Sequence, residues 1–186
     1  MFISRCDPED RYVHLNQAWL DFARQNWRAD FAPESILGDT WRRHISDRAT
    51  LHLYDRLVQR ARQLARPLSV AFRCDSPDLR RFMEISALPL PDGGLEWASR
   101  LLRQEPRPLV RLPEPDAELV ARLAIMCSWC KKVQVPEWAG VAPLVVGDWV
   151  EVEEIMPLFS DAHAGFYPEL SHGVCPACFR MVLDKL

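Results

Sequence analysis

The chain has 186 residues, of which 48% are hydrophobic and 26% charged, and its formal net charge at pH 7 is −3. These values predict a folded protein with a hydrophobic core and exclude wholesale disorder. Proteins that bind nucleic acid or anionic membranes through general charge normally carry a basic excess, so we expect neither function. No apolar run approaches the roughly 18 residues that span a bilayer, and the polar start Met1–Asp10 is unlike a secretory signal, which predicts a cytoplasmic protein.

The charge is distributed unevenly along the chain. Residues 1–112 contain 18 basic and 15 acidic side chains, whereas residues 113–186 contain 5 basic and 11 acidic ones. The change falls at a proline-rich stretch, Pro106–Pro115, and proline favours extended segments that lack backbone donors. We therefore predict two domains, residues 1–105 and 118–186, joined by a linker at 106–117. The alternative is a long surface loop within one domain.

The first domain begins with a predicted strand and helices. Tyr12–Asn16 alternates apolar and polar residues, as a short strand does. Asn16 is a suitable cap for a helix whose apolar face is Ala18, Trp19, Phe22 and Ala23. After Leu37-Gly38-Asp39 we expect a short helical segment that buries Trp41 and Ile45. The clearest helix is Thr50–Arg66, with an apolar stripe formed by Tyr54, Leu57, Val58, Ala61 and Leu64 or Ala65.

Three alternating segments follow this helix, at Leu68–Cys74, Met83–Ala87 and Leu95–Leu101. The turn sequences Asp75–Asp78 and Pro91–Gly94 connect them, which predicts an antiparallel meander. Helices followed by a meander indicate an α+β domain. Its predicted core comprises Leu15, Trp19, Phe22, Leu57, Phe72, Ile85 and Trp97.

This first domain resembles a PAS sensory domain over about residues 8–105. The resemblance is carried by the strand-to-helix junction Tyr12–Asn16, the Leu37-Gly38 step, the long helix before the meander and the Asp92-Gly-Gly94 hairpin. Phe72-Arg-Cys-Asp-Ser-Pro77 followed by Arg80-Arg-Phe82 is similar to a variant motif of some bacterial signalling PAS domains. The resemblance implies a five-stranded antiparallel sheet flanked by helices, and a role in ligand sensing or dimerisation.

The PAS resemblance raises the question of a cofactor. The Asn-Cys-Arg-Phe-Leu-Gln motif of flavin-binding PAS domains is absent from the sequence. Haem-binding PAS domains use a histidine on the long helix, where this chain has His52. His52 lies off the apolar stripe, however, so we expect a solvent-facing histidine and no haem. We expect Cys6 and Cys74 to be free thiols, with Cys74 buried on a strand. The sequence does not identify a ligand.

The second domain contains four of the six cysteines, in the pairs Cys127-Ser-Trp-Cys130 and Cys175-Pro-Ala-Cys178. Two Cys-x2-Cys pairs offer four thiolates, the ligand set of structural tetrahedral zinc. Disulfides are disfavoured in a cytoplasmic protein. A thiol-redox site and another metal remain alternatives. His172 is a candidate to replace one cysteine as ligand, although four thiolates already complete the site.

Elements around the cysteines predict a treble-clef-like module, in which a knuckle and a hairpin precede a helix that holds the last two ligands. Val145–Val152 is strand or hairpin material, and Glu153–Phe159 predicts a short helical turn. Pro176 suits the first turn of the last helix, whose apolar face is Phe179, Val182, Leu183 and Leu186.

The second domain resembles a short module that often accompanies PAS and response-regulator domains in bacterial signalling proteins. The matching segments are Met126–Val133, Trp149–Glu154 and Leu170–Phe179, which ends in Ser-His-Gly-Val-Cys-Pro-Ala-Cys-Phe. The module is not associated with a catalytic activity, so the resemblance implies a signalling context.

Together these features predict a non-catalytic signalling or adaptor protein. The PAS-like domain would sense a ligand or form a homodimer, and the zinc module would present a surface to a protein partner. The sequence contains no nucleophile–base constellation and no ATP-binding glycine motif. Two alternatives remain: a redox sensor or redox enzyme that uses the cysteine pairs, and a nucleic-acid-binding finger, which the acidic second half disfavours.

Overall fold

Two strands, β1 (Phe2–Cys6) and β2 (Tyr12–Leu15), pair at the start of the chain in a computed structural model that describes residues 1–26, 28–110, 120–139, 143–156 and 166–186. Only β2 was predicted. Asn16 follows it and caps helix α1 (Gln17–Asn26), because its Oδ1 accepts from the backbone N–H of Trp19 at 2.9 Å. The same oxygen accepts from Ile3 N at 3.0 Å, which ties the start of α1 to β1.

Short 3-10 segments at Pro33–Ser35 and Trp41–His44 lead to the long helix α2 (Arg48–Leu64). Helix α2 begins two residues before the predicted start, because the side chain of Asp47 accepts from Thr50 N at 2.6 Å and caps the helix there. It ends at Leu64, two residues before the predicted end at Arg66, because Ala65 adopts a left-handed conformation and caps the helix. Leu53, Leu57, Val58 and Ala61 are buried, whereas Leu64 and Ala65 are exposed, so the predicted stripe was wrong in its last turn.

The meander follows α2 as β3 (Leu68–Arg73), β4 (Leu79–Pro89) and β5 (Leu95–Pro106). Both predicted turns are present, and Gly93 adopts the positive φ of 88° that the β4–β5 turn requires. β1 pairs antiparallel with β5, which gives the sheet order β2-β1-β5-β4-β3. We call residues 1–110 the first part of the chain. It contains a five-stranded antiparallel sheet with helices beside it, as predicted.

The inner face of this sheet packs against α2 and forms the core of the first part. Of the predicted core residues, Leu15, Leu57 and Trp97 are buried; Trp19, Phe22, Phe72 and Ile85 are half-buried. The opposite face is polar, with ion pairs between Arg5 and Glu96 and between Arg100 and Glu84. A sheet with one apolar and one polar face matches the alternation seen in the sequence.

A second sheet lies next to the two cysteine pairs. Its strands are β6 (Val120–Cys127), β7 (Val133–Gln134), β8 (Trp149–Val150) and β9 (Phe166–Gly173), in the order β8-β7-β6-β9. β6 and β9 are parallel, and the other pairs are antiparallel. We call residues 120–186 the cysteine module. β9 was not predicted.

Two helices complete the cysteine module, α3 (residues 152–156) and α4 (Pro176–Leu183). Val145–Val152 was predicted as strand or hairpin; residues 149–150 form β8, which pairs antiparallel with β7, and Val145–Asp148 form the turn before it. The predicted turn Glu153–Phe159 is helical through residue 156, and its remainder lies outside the described residues. The predicted α4 is present, with Pro176 in its first turn and Val182 buried.

The two parts of the chain share one hydrophobic cluster. Five residues of the cysteine module belong to the same cluster as the core of the first part: Cys127, Trp129, Cys175, Cys178 and Val182. At the predicted linker, β5 extends to Pro106, and Arg107 N and Val110 N donate to the carbonyls of Asp78 and Pro77. Residues 111–119 of that linker lie outside the described residues. Across the described ranges, no helix has the length and apolar character needed to cross a membrane.

Candidate metal centre

The first cysteine pair lies in a tight turn at the end of β6. Cys127 N donates to the carbonyl of Lys132 at 2.7 Å, and Lys131 N donates to the carbonyl of Cys127 at 3.0 Å. The turn closes because Lys131 adopts a left-handed backbone conformation, with φ 61°. This geometry folds the chain back within six residues, so the thiols of Cys127 and Cys130 point to the same side.

The second pair lies at the start of α4. Cys175 is the N-cap residue of this helix, and its sulfur accepts from Cys178 N at 3.4 Å. Cys175 N in turn donates to the sulfur of Cys127 at 3.3 Å, which joins the two pairs. N–H groups directed at sulfur stabilise thiolates, as does the positive end of the helix dipole.

The four sulfurs form a compact cluster, and each Sγ lies within 4.8 Å of the other three. The Sγ atoms of Cys130 and Cys175 are 3.8 Å apart. Four sulfurs placed tetrahedrally around zinc at about 2.3 Å would be separated by about 3.8 Å. None of the six cysteines forms a disulfide, and Cys6 and Cys74 lie outside the cluster, so the structure brings together the four cysteines that the sequence predicted as ligands. Cys74, predicted to be buried on a strand, instead follows β3 and is half-buried.

Proximity makes the four thiols interdependent. The thiol groups of Cys130 and Cys178 donate hydrogen bonds to Cys127 and lower the pKa of Cys127 below that of an ordinary thiol. The same interactions raise the pKa of Cys130 to about 12 and also raise the pKa of Cys178. Four thiols in this arrangement cannot all ionise without a cation between them. A divalent metal can stabilise all four thiolates at neutral pH, so the donor set fits such an ion.

The two histidines considered as possible ligands in the sequence, His172 and His52, lie outside the cluster of four sulfurs. His172 is exposed on β9, opposite Met126, and does not belong to the sulfur cluster. His52 is exposed on α2, as the sequence predicted. Among the described residues, the four cysteines are therefore the complete candidate ligand set.

Trp129, inside the first pair, anchors the candidate centre to the first part of the chain. Its ring centroid is 5.2 Å from that of Tyr54 on α2, and its carbonyl accepts from Arg73 N at 2.7 Å. Sequence reasoning missed this role. A large aromatic residue between two ligand cysteines, where a small residue would suffice, was the available signal for a packed interface.

A buried ionic network lies beside this anchor. Arg73 pairs with Asp75 and, at 2.9 Å, with Glu151 of the cysteine module. Burial opposes the charge of Arg73, but these two carboxylates outweigh burial and raise its pKa. Arg107 pairs with Asp75 at 2.9 Å and with Glu153 at 2.8 Å. The network joins β3 and the end of β5 to the residues around α3.

Comparison with known proteins finds similarity to solved structures but no match by sequence. No protein-family model and no curated protein matches this sequence. Among solved structures, a sensory box sensor histidine kinase from Vibrio cholerae is similar, at 9% sequence identity and a TM-score of 0.39. The match covers 54% of this chain and 80% of the kinase chain.

Proposed function

We propose that the protein binds one structural zinc ion through Cys127, Cys130, Cys175 and Cys178. The observation that carries this proposal is the compact cluster of four sulfurs, with a 3.8 Å separation between Cys130 and Cys175 that suits a tetrahedral site. Four protein ligands leave no coordination position for substrate or water. A site of this kind stabilises a fold and does not catalyse a reaction.

In the proposed function, the first part is a PAS-like sensory domain and the cysteine module is a treble-clef-like unit that presents a surface to a signalling partner. The five-stranded antiparallel sheet beside α2 supports the first assignment. The treble-clef-like assignment of the cysteine module is supported by the tight turn after β6 and by the helix that begins at the second cysteine pair. The shared hydrophobic cluster supports coupling between them, since a change in one part alters packing in the other. The protein would act by association rather than by catalysis.

Elemental analysis of protein purified without added metal tests the metal assignment. We expect close to one zinc per chain, and Cys178→Ser should lose it. Cys74→Ser is the matched control, because Cys74 is a half-buried free thiol outside the cluster. Iron in place of zinc would overturn the choice of metal, and a metal-free protein with two disulfides would overturn the site.

A redox sensor is the second candidate, and access to the cluster favours it. Cys130 is half-buried, and Cys130 and Cys178 border an open apolar cavity of about 410 Å³ that Met181 also lines. A small oxidant has a route to these sulfurs. Treatment with hydrogen peroxide, followed by a colorimetric zinc assay, separates the two functions. A redox sensor releases zinc at low oxidant excess and takes it up again after reduction, whereas a purely structural site retains its metal.

The sensory assignment also includes homodimer formation through the first part. Sedimentation velocity at low and high salt tests it, because salt weakens contacts between exposed charges of two copies. We expect a dimer. A monomer at both salt concentrations would refute this part of the proposal and leave the metal assignment untouched.

A further inference from the structure

A cavity of about 370 Å³ lies between the inner face of the five-stranded sheet and the beginning of α2. Its volume is in the range of small-molecule sites. The sheet contributes Trp97, the segment before α2 contributes Trp41, and α2 contributes Thr50 and Tyr54. The cysteine module completes the wall with Ser128, from the turn between Cys127 and Cys130, and with His172 of β9.

The walls are aromatic and hold one another in place. The ring of Trp97 lies edge-on to the rings of Trp41 and Tyr54, each at a centroid distance of 5.6 Å. The lining contains no Lys or Arg among the described residues, and its only carboxylate is Asp47, which caps α2. Such a cavity suits a flat, uncharged molecule, and apart from His44 and His172 its lining offers no basic side chain to an anionic one.

Three of the lining residues carry buried polar atoms that lack a hydrogen-bond partner within the described structure. These atoms are Nε1 of Trp41, Nε1 of Trp97 and Oγ1 of Thr50. Buried polar atoms are nearly always paired in folded proteins, and an unpaired one lowers stability. Each of these atoms is covered in the structure, so its side chain must turn toward the cavity to meet a ligand. An indole N–H can only donate, so a molecule that satisfies these groups must present hydrogen-bond acceptors.

We propose that this cavity binds a small neutral aromatic molecule with a hydrogen-bond acceptor, such as a ring-bound carbonyl, and that the metal centre controls its closure. The inference deepens the proposed sensory function and rests on it. Ser128 lies within the first cysteine pair, and His172 lies three residues before Cys175, so the metal positions both wall residues. Ligand binding and metal binding then favour each other, and the coupling is reciprocal.

Three probes of similar size, titrated into the intact protein and followed by ligand-observed NMR, test the ligand class. Acetophenone has a ring and a carbonyl, ethylbenzene has the ring without an acceptor, and benzoate has a negative charge. We expect acetophenone to bind more tightly than either of the others. Equal binding of acetophenone and ethylbenzene, or no binding of acetophenone up to its solubility limit, would overturn the proposal.

The variant Thr50→Val locates the binding site, because valine has the shape of threonine without its hydroxyl. We expect it to weaken acetophenone binding about 3- to 10-fold, the loss of one hydrogen bond, and to leave ethylbenzene binding unchanged. Its thermal stability should stay the same or rise, since a buried unpaired hydroxyl is removed. A purely structural role for Thr50 predicts the opposite: lower stability with unchanged probe selectivity.

Removal of the metal tests the coupling separately. A zinc chelator at a concentration that leaves the far-ultraviolet spectrum unchanged should weaken acetophenone binding, and saturating acetophenone should slow zinc loss to the chelator. If zinc is present but acetophenone binds equally well with and without it, the coupling is wrong. If no zinc is present at all, the proposed metal site fails, and the comparison of the three probes still decides the ligand class.

Discussion

Asp10 combines an unusual backbone conformation with two ion pairs. Its φ of 65° lies in the left-handed region, which Asp and Asn tolerate better than most residues. Its carboxylate accepts from Arg62 Nη2 at 2.8 Å and from Arg42 Nη1 at 2.7 Å. Burial would raise the pKa of Asp10, but the hydrogen bonds from Arg42 and Arg62 outweigh burial and lower it. Asp10 therefore joins the loop after β1 to α2.

Asp10→Asn should lower the free energy of unfolding at pH 7 by about 1–3 kcal/mol, because asparagine keeps the backbone preference but loses the charge. The folded pKa of Asp10 is depressed, so its stabilisation is present above the unfolded pKa of about 3.9 and is lost as pH falls through the folded pKa. The difference from the unsubstituted protein should thus shrink below about pH 4. Urea unfolding at several pH values measures it. Glu9→Gln, at an exposed neighbour outside these ion pairs, is the control variant.

Gly173 is the residue at which β9 approaches the candidate metal centre most closely. It lies opposite Cys127 in the parallel pair, and its carbonyl accepts from Ser128 N at 2.8 Å. A Cβ at this position would lie 2.8 Å from Cγ2 of Ile125. Because Cγ2 is attached directly to the branched Cβ of Ile125, it can move away only by a change of the χ1 rotamer, which branching restricts, or by a shift of the strand.

Gly173→Ala should therefore destabilise the protein by about 1–3 kcal/mol, the usual range for overpacking. Ile125→Ala removes the clashing methyl group, and Ile125 is already 39% exposed, so that change alone should have a small effect. The double variant should recover most of the stability. A double-mutant cycle by thermal unfolding measures the coupling, and purely additive losses would contradict the clash.

At the scale of elements, the ionic network around Arg73 links β3 to the cysteine module. Arg73→Met would leave Asp75 and Glu151 without this partner, and side-chain exposure is only 8% for Arg73 and 7% for Asp75. Asp75 would keep only Arg107, and Glu151 only the longer contact with Arg80 at 3.7 Å. We expect a loss of about 2–4 kcal/mol in the free energy of unfolding, because buried carboxylates that lose part of their charge compensation are costly. Arg100→Met is the control: its pair with Glu84 is more exposed and should contribute less than about 1 kcal/mol. Equal effects of the two variants would show that the network does not join the parts.

The elements that the sequence predicted well are those fixed by local chemistry. The meander was predictable because alternating strands flank the turn sequences Asp75–Asp78 and Pro91–Gly94. Helix α2 was predictable because its apolar residues repeat at intervals of three and four. β1 was missed because Phe2–Cys6 is short and buries Ser4, a polar residue. β9 was missed because Phe166–Gly173 contains proline and glycine and pairs in parallel with a strand far away in the sequence.

In the candidate site too, some features follow from local sequence and others depend on tertiary contacts. The spacing of the two Cys-x2-Cys pairs identified the four sulfurs, because each pair must fold into a tight turn to bring its thiols together. The surroundings of the site depend on tertiary packing. Contact between Trp129 and Tyr54, and the network from Arg73 to Glu151, join residues whose local sequence contains no sign of the partner.

At the scale of the whole molecule, the shared hydrophobic cluster makes metal removal a test of cooperativity. Structural zinc contributes roughly 10 kcal/mol or more in small zinc peptides, whereas the net stability of a domain is about 5–15 kcal/mol. Since Cys127, Cys175 and Cys178 pack in one cluster with Leu57 and Trp97, zinc chelation should destabilise both parts.

Thermal unfolding with and without a chelator, followed by near-ultraviolet circular dichroism and by hydrogen exchange, measures this effect. We expect the transition to move to a much lower temperature and exchange to rise in α2 as well as in α4. Retention of full protection in α2 after zinc loss would show that the first part folds independently. Cys74→Ser should behave like the unsubstituted protein.

The parallel pairing of β6 and β9 has a consequence for the rate of folding. Val120 pairs with Phe166, so the strands can meet only after a chain segment of about 46 residues closes on itself, which is entropically slow. The first cysteine pair begins at the last residue of β6, and the second begins two residues after β9. A zinc ion captured first by one pair and then by the other would hold both strand ends together while the intervening residues find their places. Refolding should accordingly be faster when zinc is present from the start. Zinc added late should accelerate the folding of those molecules in which β6 and β9 have not yet paired.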